Sequence, residues 1–466
     1  MEQKHNRGSF KGTIGFVLAA AGSAVGLGNI WRFPYLAARD GGGLFLVVYI
    51  VLALTFGFAL LTSEIAIGRK SRQSPLTAYG ALSKKWNWIG IFVCVVPLII
   101  MPYYCAIGGW VLKYFVAFVT GHGVDAAQDG YFTGFITGYS EPIIFMVIFL
   151  IVCAIIIFAG VDSGIERFSK ILMPILIVMV LGIAIFSLTI RKPDETGKMV
   201  TGLQGLKLYI IPSFEGVTVG GFFHIVMDAL TQLFYSLSIA MGIMIAYGSY
   251  VPNGSNLSKS INQIEIFDTA VAFLAGIMVI PAVYVFMGKE GLEASGPSLM
   301  FISLPKVFAE MGFVGNIVGT IFFAMVFFAA LTSGISIMEA IVSSFMDKFH
   351  ISRKKAAGLE TVIALIVGVI VCLGYNLMYF EVKLPNGSTG QILDILDYVS
   401  NYILMPIVAL ATCLLIGWVV KPDTVIGEIT KNGESFRRKG LYNIMIRFVA
   451  PALIIVILLM SFGIIK

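Results

Sequence analysis

The chain has 466 residues, of which 58% are hydrophobic and 12% are charged, and its mean hydropathy is +0.92. Soluble domains carry about 25% charged residues, so this composition excludes a soluble protein and indicates a polytopic α-helical membrane protein. The net charge of +6 arises largely from Lys and Arg in connecting segments and requires no nucleic-acid partner.

Apolar runs long enough to cross a bilayer recur along the whole chain. They predict an all-α membrane protein forming one domain over residues 1–466. Lys and Arg concentrate in alternate connections, and the rule that positive loops stay cytoplasmic predicts a multi-pass protein of the cell membrane with a cytoplasmic N-terminus and an extracellular C-terminus. The eleven predicted spans are residues 12–37, 42–68, 88–120, 142–160, 168–190, 222–250, 262–288, 314–346, 356–377, 391–420 and 441–465.

Two of these spans are interrupted halfway. The first reads Gly22-Ser-Ala-Val-Gly-Leu-Gly-Asn29 at its centre, and the sixth carries Gln232, Ser236, Ser238 and Gly242 at a similar depth. Backbone groups freed in hydrocarbon each cost several kcal/mol unless protein, water or a ligand satisfies them. The paired interruptions therefore predict a binding site for a small polar or charged ligand.

The spacing of the interruptions indicates an internal repeat. Residues 12–190 and residues 222–420 form two five-helix halves, each opening with a discontinuous helix. Because five is odd, the second half enters the membrane from the opposite side, which is the inverted-repeat arrangement of many transporters. The helix at 441–465 stands outside the repeat.

Several ordered motifs resemble one family. The segments Gly22-Ser-Ala-Val-Gly-Leu-Gly-Asn-Ile-Trp-Arg-Phe-Pro-Tyr35, Gly41-Gly-Gly-Leu-Phe45 and Glu64-Ile-Ala-Ile-Gly-Arg69 closely resemble the signature of the neurotransmitter:sodium symporters, particularly bacterial amino-acid members of the leucine-transporter type. The likeness continues through Tyr103-Tyr104, Gln232 to Tyr247, Ala329 to Ile337 and Leu393 to Asp397. It implies sodium-coupled import of an amino acid by alternating access, with no enzymatic step.

The resemblance implies two sodium sites built from backbone and side-chain oxygens. The first matches Ala24, Asn29, Ser236 and Asp268, and the second matches Gly22, Val25, Ala329, Thr332 and Ser333. Two alternatives remain open at this point. Thr332 and Ser333 also suit hydrogen bonds to their own helix, and Asp268 also suits a hydrated position near an end of its span.

Asp268 further predicts that transport needs no chloride. Many members of the family hold an amide at the matching position and obtain negative charge from chloride or another acid, whereas this chain supplies a carboxylate itself. A buried carboxylate costs several kcal/mol unless a cation accompanies it, and sodium would be that cation.

The resemblance also implies the amino-acid site. The matching residues are Ala24, Val25, Leu27, Gly28, Ile100, Tyr104, Tyr235, Ser236, Ser238, Ala240, Met241, Ser333 and Ile337. The half-helix beginning beyond Gly26 suits the substrate carboxylate, and carbonyls of the sixth span suit its ammonium. The apolar wall predicts a hydrophobic neutral substrate. Ala240, Ile100 and Ile337 reduce the space and favour Leu, Ile, Val or Met over Trp and Tyr.

Charged and aromatic residues near the ends of the spans match the residues that form the outer and inner gates in this family. The outer gate comprises Arg32 with Asp397 and an aromatic lid, and the inner gate comprises Arg7 with Asp347. Solvated surface charges are the alternative for the inner pair. The predicted lid residues are Tyr103, Tyr235 and Tyr398.

A sensor of the same fold that binds an amino acid without transporting it is the main alternative function. A channel would distribute its polar residues along a continuous pore, and an intramembrane enzyme would require a nucleophile with its base or a metal cluster. The sequence indicates no oligomeric state. The predicted partners are the lipid bilayer, an amino acid and two sodium ions.

Overall fold

Helices account for nearly all of the regular structure. The computed structural model describes residues 8–194, 196–214, 217–293 and 296–465. Within these ranges, nine unbroken helices are long and apolar enough to cross a membrane, and a bent pair forms a tenth span. The helix pair Val219–Ser236 and Ile243–Tyr250 completes eleven. The prediction of an all-α protein with eleven spans, of which the first and sixth are discontinuous, is confirmed, and the inverted repeat stays a prediction.

The spans follow the predicted order. Span 1 comprises Thr13–Ala24 and Gly28–Arg39, and span 6 comprises Val219–Ser236 and Ile243–Tyr250. Spans 2 to 5 are Gly43–Ser71, Lys84–Val119, Glu141–Phe158 and Val161–Thr189. Spans 7 to 11 are Leu257–Met287, Gly312–Phe349, Arg353–Leu373, Ile392–Val419 and Lys439–Ser461.

Short elements connect the spans. The connecting helices include Pro75–Leu82, Gly123–Ala126, Tyr131–Ile136, Gly202–Ile210, Leu304–Glu310 and Asp423–Ile429. Two antiparallel hairpins pair Arg191–Pro193 with Met199–Thr201 and Val382–Lys383 with Thr389–Gly390.

Most predicted boundaries lie within four residues of the observed ones, and the largest difference is at span 5. This span begins at Val161 with a π-helical turn, seven residues before the predicted start at 168. The turn carries Glu166, which is buried and accepts hydrogen bonds from the Lys11 amide at 2.7 Å and from the Lys170 ammonium at 2.6 Å. Hydropathy misses this turn because charged residues interrupt the apolar run, although Glu166 among them is buried.

The first interruption bends span 1 by 52°. Val25 leaves the helical conformation with ψ of 88°, and the amide of Gly26 is bonded by the Asn29 side chain at 3.4 Å. A methyl group added to Gly28 would lie 2.3 Å from the ring of Tyr235. Glycine is therefore needed here because the Tyr235 side chain of span 6 packs directly against the backbone of the first break.

The second interruption covers Leu237 to Gly242. Ser238, Ala240 and Gly242 all have positive φ, at 52°, 64° and 75°, a conformation that costs a non-glycine residue about 1–2 kcal/mol. The Ala240 amide donates to the buried Glu64 carboxyl at 2.7 Å, and this bond helps to offset the strain. Span 2 thus holds the unwound part of span 6 in place.

Candidate functional site

A narrow cavity lies between the two interruptions, about 20 Å³ in volume. Spans 1, 3, 6 and 8 form its wall, and no charged side chain is among the described residues that line it. An amino acid can enter only if these spans move apart. The lining residues are Ser23, Ala24, Gly26, Leu27, Gly28, Asn29, Ile100, Tyr104, Tyr235, Ser238, Met241, Ser333 and Ile337.

The structure places most of the predicted substrate-binding residues in this lining, with three exceptions. Val25 and Ala240 are fully buried behind it, and Ser236 points toward Asp268 instead. The prediction that the Ala240 methyl narrows the pocket is therefore wrong, because that residue turns its amide to Glu64 and does not face the cavity. Sequence reasoning missed Ser23 and Gly26, which lie beside predicted residues in the same break.

Hydroxyl groups join the three central spans. The Ser23 carbonyl of span 1 accepts from the Ser238 hydroxyl of span 6 at 3.2 Å and from the Ser333 hydroxyl of span 8 at 3.1 Å. The Gln232 amide donates to the Gly28 carbonyl at 3.0 Å. These bonds satisfy backbone carbonyls where span 1 is interrupted, and they connect that break to spans 6 and 8.

Tyr104 brings an unsatisfied polar group into the cavity. Its hydroxyl is buried, and although it faces Ser333 it reaches hydrogen-bonding geometry with no group in the described ranges. Buried hydroxyls almost always have a partner. An oxygen acceptor entering the cavity, such as a carboxylate, would provide it.

A second polar cluster surrounds the Asp268 carboxylate in span 7. Its Oδ1 accepts from the Asn29 amide at 2.8 Å and from the Ser236 hydroxyl at 2.6 Å, and its Oδ2 accepts from the Tyr49 hydroxyl at 3.3 Å. The Asp268 side chain is fully buried. The alternative of a hydrated Asp268 near an end of the span is therefore wrong.

The Asp268 cluster has the composition of a sodium site. All of its donors are neutral, and in the described part of the chain no Lys or Arg nitrogen lies within 4 Å of the carboxylate. Amide, hydroxyl and carboxylate oxygens are ligands for a hard cation. Ala24 ends the first half of span 1 beside the cavity, in the same break as Asn29, which contacts Asp268. Sodium thus fits a buried negative charge that otherwise lacks a countercharge.

Sequence reasoning missed Tyr49. This residue lies in the first part of span 2, about two turns after its start at Gly43, and its hydroxyl also donates to Ser236 at 3.3 Å. A single tyrosine in an apolar run carries no signal of its own, because only the packing of span 2 against spans 6 and 7 directs it to Asp268.

The residues matched to the second sodium site lie where spans 1 and 8 approach closely. The Cβ of Thr332 lies 3.3 Å from the position that a methyl on Gly22 would occupy. Thr332 donates to carbonyls of its own helix, at Phe328 and Ala329, which is the alternative considered from sequence, whereas Ser333 bonds span 1. Both hydroxyl oxygens retain lone pairs that a cation can use. Val25 is buried at the break beside them.

The outer gate residues are only partly assembled. Asp397 accepts from Tyr103 at 3.3 Å and from Asn401 at 2.5 Å. Arg32 acts on Asp397 electrostatically, but these two described residues make no ion pair within 4 Å. Tyr235 packs its ring over Gly28 and thus covers the first break.

The structure does not place Tyr398 in the lid. Its hydroxyl donates to the Ser461 carbonyl of span 11 at 2.6 Å, and its ring stacks on Tyr402. Tyr402 instead interacts electrostatically with Arg32 and Asp397. The π-helical segment Tyr398–Leu404 explains the difference, because π-helical turns shift the side-chain directions that an α-helical pattern predicts.

Of the two residues predicted to form the inner gate, only Asp347 lies in the described part of the chain. Arg7 lies outside the described residues. Asp347 accepts a hydrogen bond from the Ser74 amide at 2.7 Å and so contacts the connection after span 2. The Arg7–Asp347 pair stays a prediction.

Comparison with known proteins identifies the family. Residues 7–124 and 136–466 match the model of the sodium:neurotransmitter symporter family. The chain belongs to this family. This transporter is 32% identical to the uncharacterized sodium-dependent transporter YhdH of Bacillus subtilis (strain 168), with 97% of each chain covered. It is also 26% identical to a human sodium- and chloride-dependent GABA transporter 2, over 89% of this chain and 73% of the human protein.

A solved structure agrees with the fold of this transporter. The crystal structure of MhsT in complex with L-phenylalanine is 33% identical in sequence and matches with a TM-score of 0.85, covering 98% of this chain and 100% of MhsT. The predicted family, the multi-pass membrane fold, the use of sodium and the absence of an enzymatic role are thereby confirmed.

Proposed function

We propose that this transporter is a symporter that uses two sodium ions to import a hydrophobic neutral amino acid without chloride. The observation that supports this most strongly is the Asp268 carboxylate, fully buried among neutral donors from three spans. Such a charge is costly in a membrane protein unless a cation pairs with it. A sodium ion would make that charge favourable and leave no charge for chloride to balance.

The cavity supports an amino acid as the substrate. The helix beginning at Gly28 directs its positive dipole end toward the break, and the unsatisfied Tyr104 hydroxyl faces the same space. Both features suit the substrate carboxylate. Carbonyls near Ser238 in the second break suit the ammonium group.

The cavity wall supports a hydrophobic substrate side chain. Ile100, Met241 and Ile337 line it, and its described lining holds no charge to pair with a charged side chain. Since Ala240 lies outside the lining, the preference for Leu, Ile, Val or Met rests on Ile100 and Ile337 alone. L-Phenylalanine bound to MhsT makes aromatic substrates the relevant competitors.

The proposed ion positions would couple sodium binding to alternating access. The first sodium would connect Asn29, Ser236 and Asp268, so it would order both breaks and favour a state open to the outside. The amino acid would then complete the first sodium site, and Tyr103 and Tyr235 would close over it. The inside would open by rocking of one helix bundle against the other. The membrane potential contributes about 2.3 kcal/mol per transported charge per 100 mV.

Uptake into proteoliposomes tests the proposal. We expect an inward sodium gradient to drive accumulation of labelled leucine, and replacement of chloride by gluconate to leave the rate unchanged. Loss of uptake in gluconate would refute chloride independence. Competition of unlabelled phenylalanine and tryptophan with labelled leucine ranks the three amino acids as substrates.

Counterflow separates a transporter from a sensor. Vesicles preloaded with unlabelled leucine should take up labelled leucine when sodium is present on both sides. Saturable binding without exchange would instead support the sensor.

A further inference from the structure

A basic pocket lies where span 7 begins and where the chain approaches span 11. It has a volume of about 460 Å³ and is lined by Lys259, Arg437 and Arg438 with polar residues such as Ser258 and Asn262. Lys259 and Arg437 are exposed, and in the described part of the chain neither makes an ion pair within 4 Å. The pocket therefore holds two uncompensated positive charges.

An apolar groove runs along the outer surface between spans 2 and 7. It has a volume of about 400 Å³, and almost all of its exposed lining is apolar. Ile50 and Leu54 of span 2 are 40% and 47% exposed, and Ile266 of span 7 is 65% exposed. Leu46, Ile50 and Leu54 follow one another at a spacing of four residues, so they form one stripe on the helix.

The pocket and the groove meet at Arg438. Its guanidinium forms an ion pair with Glu265 at 2.8 Å and donates to the Leu54 carbonyl at 3.3 Å, and both of these residues line the groove. Glu265 is thus already neutralised. On span 7, Asn262 of the pocket and Ile266 of the groove are four residues apart and face the same side of the helix.

The dimensions suit one lipid molecule. The stripe from Leu46 to Leu54 covers nine residues, a rise of about 12 Å at 1.5 Å per residue, whereas one leaflet contributes about 15 Å of hydrocarbon. The groove is therefore short enough for one acyl chain of a single leaflet, and a lipid whose chain lies in it would direct its headgroup toward the basic pocket. The anionic headgroup matches the uncompensated charge of Lys259 and Arg437.

We propose that this pocket and groove together bind one anionic glycerophospholipid, with the phosphate beside Lys259 and Arg437 and an acyl chain between spans 2 and 7. The acyl chain would contact Tyr49, which lines the groove and holds Asp268 by a hydrogen bond. The lipid site is thus adjacent to the proposed sodium site but does not depend on it.

Native mass spectrometry of the full chain tests the site, without sodium or an amino acid. The protein is released from micelles containing equal amounts of phosphatidylglycerol and phosphatidylcholine, and retained lipid is counted. We expect one phosphatidylglycerol to be retained in preference. In Lys259→Gln/Arg437→Gln its retention should fall about thirtyfold, since each cation near an anionic surface contributes about fivefold.

Two further variants locate the lipid. Ala270→Trp fills the groove and should abolish specific retention while the basic pocket is intact. Lys84→Gln/Lys85→Gln removes two exposed cations from the same end of the bundle and should retain lipid like the wild type. Thermal unfolding of each variant confirms that it is folded.

Three results would overturn the proposal. They are equal retention of phosphatidylcholine, equal loss in the Lys84→Gln/Lys85→Gln control, and displacement of the lipid by millimolar inorganic phosphate, which would indicate a site for free phosphate. None of these depends on transport, so a failure of the sodium mechanism is seen separately, in the uptake assay.

Discussion

Replacement of Asp268 by asparagine removes the charge of the proposed first sodium site while preserving its shape. The amide oxygen can still accept from Asn29 and Ser236, which lie 2.8 and 2.6 Å from Oδ1. The change therefore removes one negative charge from a fully buried position with little loss of packing. Its effect on sodium binding measures what the carboxylate contributes.

The size of the effect follows from Coulomb's law. A unit charge pair 4 Å apart interacts by about 4 kcal/mol at an effective dielectric constant of 20, which corresponds to roughly a thousandfold in affinity. Residual oxygen ligands reduce the loss, so we expect the half-saturating sodium concentration of Asp268→Asn to rise at least about a hundredfold. Chloride should partly restore uptake, because an anion can replace the missing charge.

Uptake of labelled leucine is measured over a range of sodium concentrations in chloride and in gluconate. It gives the half-saturating sodium concentration and the extent to which chloride restores uptake. Glu360→Gln is a matched control, since Glu360 is another fully buried acid whose carboxyl oxygens find no hydrogen-bond partner in the described part of the chain, and it lies outside the cavity lining. This control should leave the sodium dependence unchanged. A half-saturating concentration for Asp268→Asn close to the wild-type value in gluconate would refute the reasoning.

Three other substitutions test separate parts of the structure. Tyr104→Phe removes a hydroxyl without a protein partner, so the stability of the protein should be unchanged. Leucine affinity, measured by equilibrium binding, should fall by about 1.5–3 kcal/mol, the value of a hydrogen bond to a charged group. Unchanged affinity would argue against contact between Tyr104 and the substrate carboxylate. Gly28→Ala places a methyl group 2.3 Å from the ring of Tyr235 and should abolish uptake. In the control Gly182→Ala, the added methyl meets nothing within 4 Å, so uptake should be retained. Equal uptake by the two variants would show that the first break tolerates a side chain. Arg69→Met removes the buried ion-pair partner of Glu428 at 2.7 Å and leaves, among the described residues, only the exposed Lys431, 4.0 Å away. It should destabilise the protein by about 3–5 kcal/mol in denaturant unfolding, and an unchanged unfolding midpoint would contradict that value.

The sequence by itself determined the spans, the two interruptions and the polar residues beside them. Runs of apolar residues are required wherever a helix crosses hydrocarbon. The glycines from Gly22 to Gly28 are required where side chains of neighbouring spans pack against the backbone of the break. These constraints are local, so they remain readable along the chain. Asp268 was recognisable for the same reason, since an acid within an apolar span needs a partner.

Only the tertiary structure decided which side chains meet. Tyr49 reaches Asp268 because span 2 packs beside spans 6 and 7, and Ala240 faces Glu64 instead of the cavity because positive φ angles turn the break around. Tyr398 bonds span 11 because a π-helical segment shifts its direction. Each of these contacts joins residues far apart in the chain, and no local pattern of hydropathy or spacing records which helix faces will be adjacent.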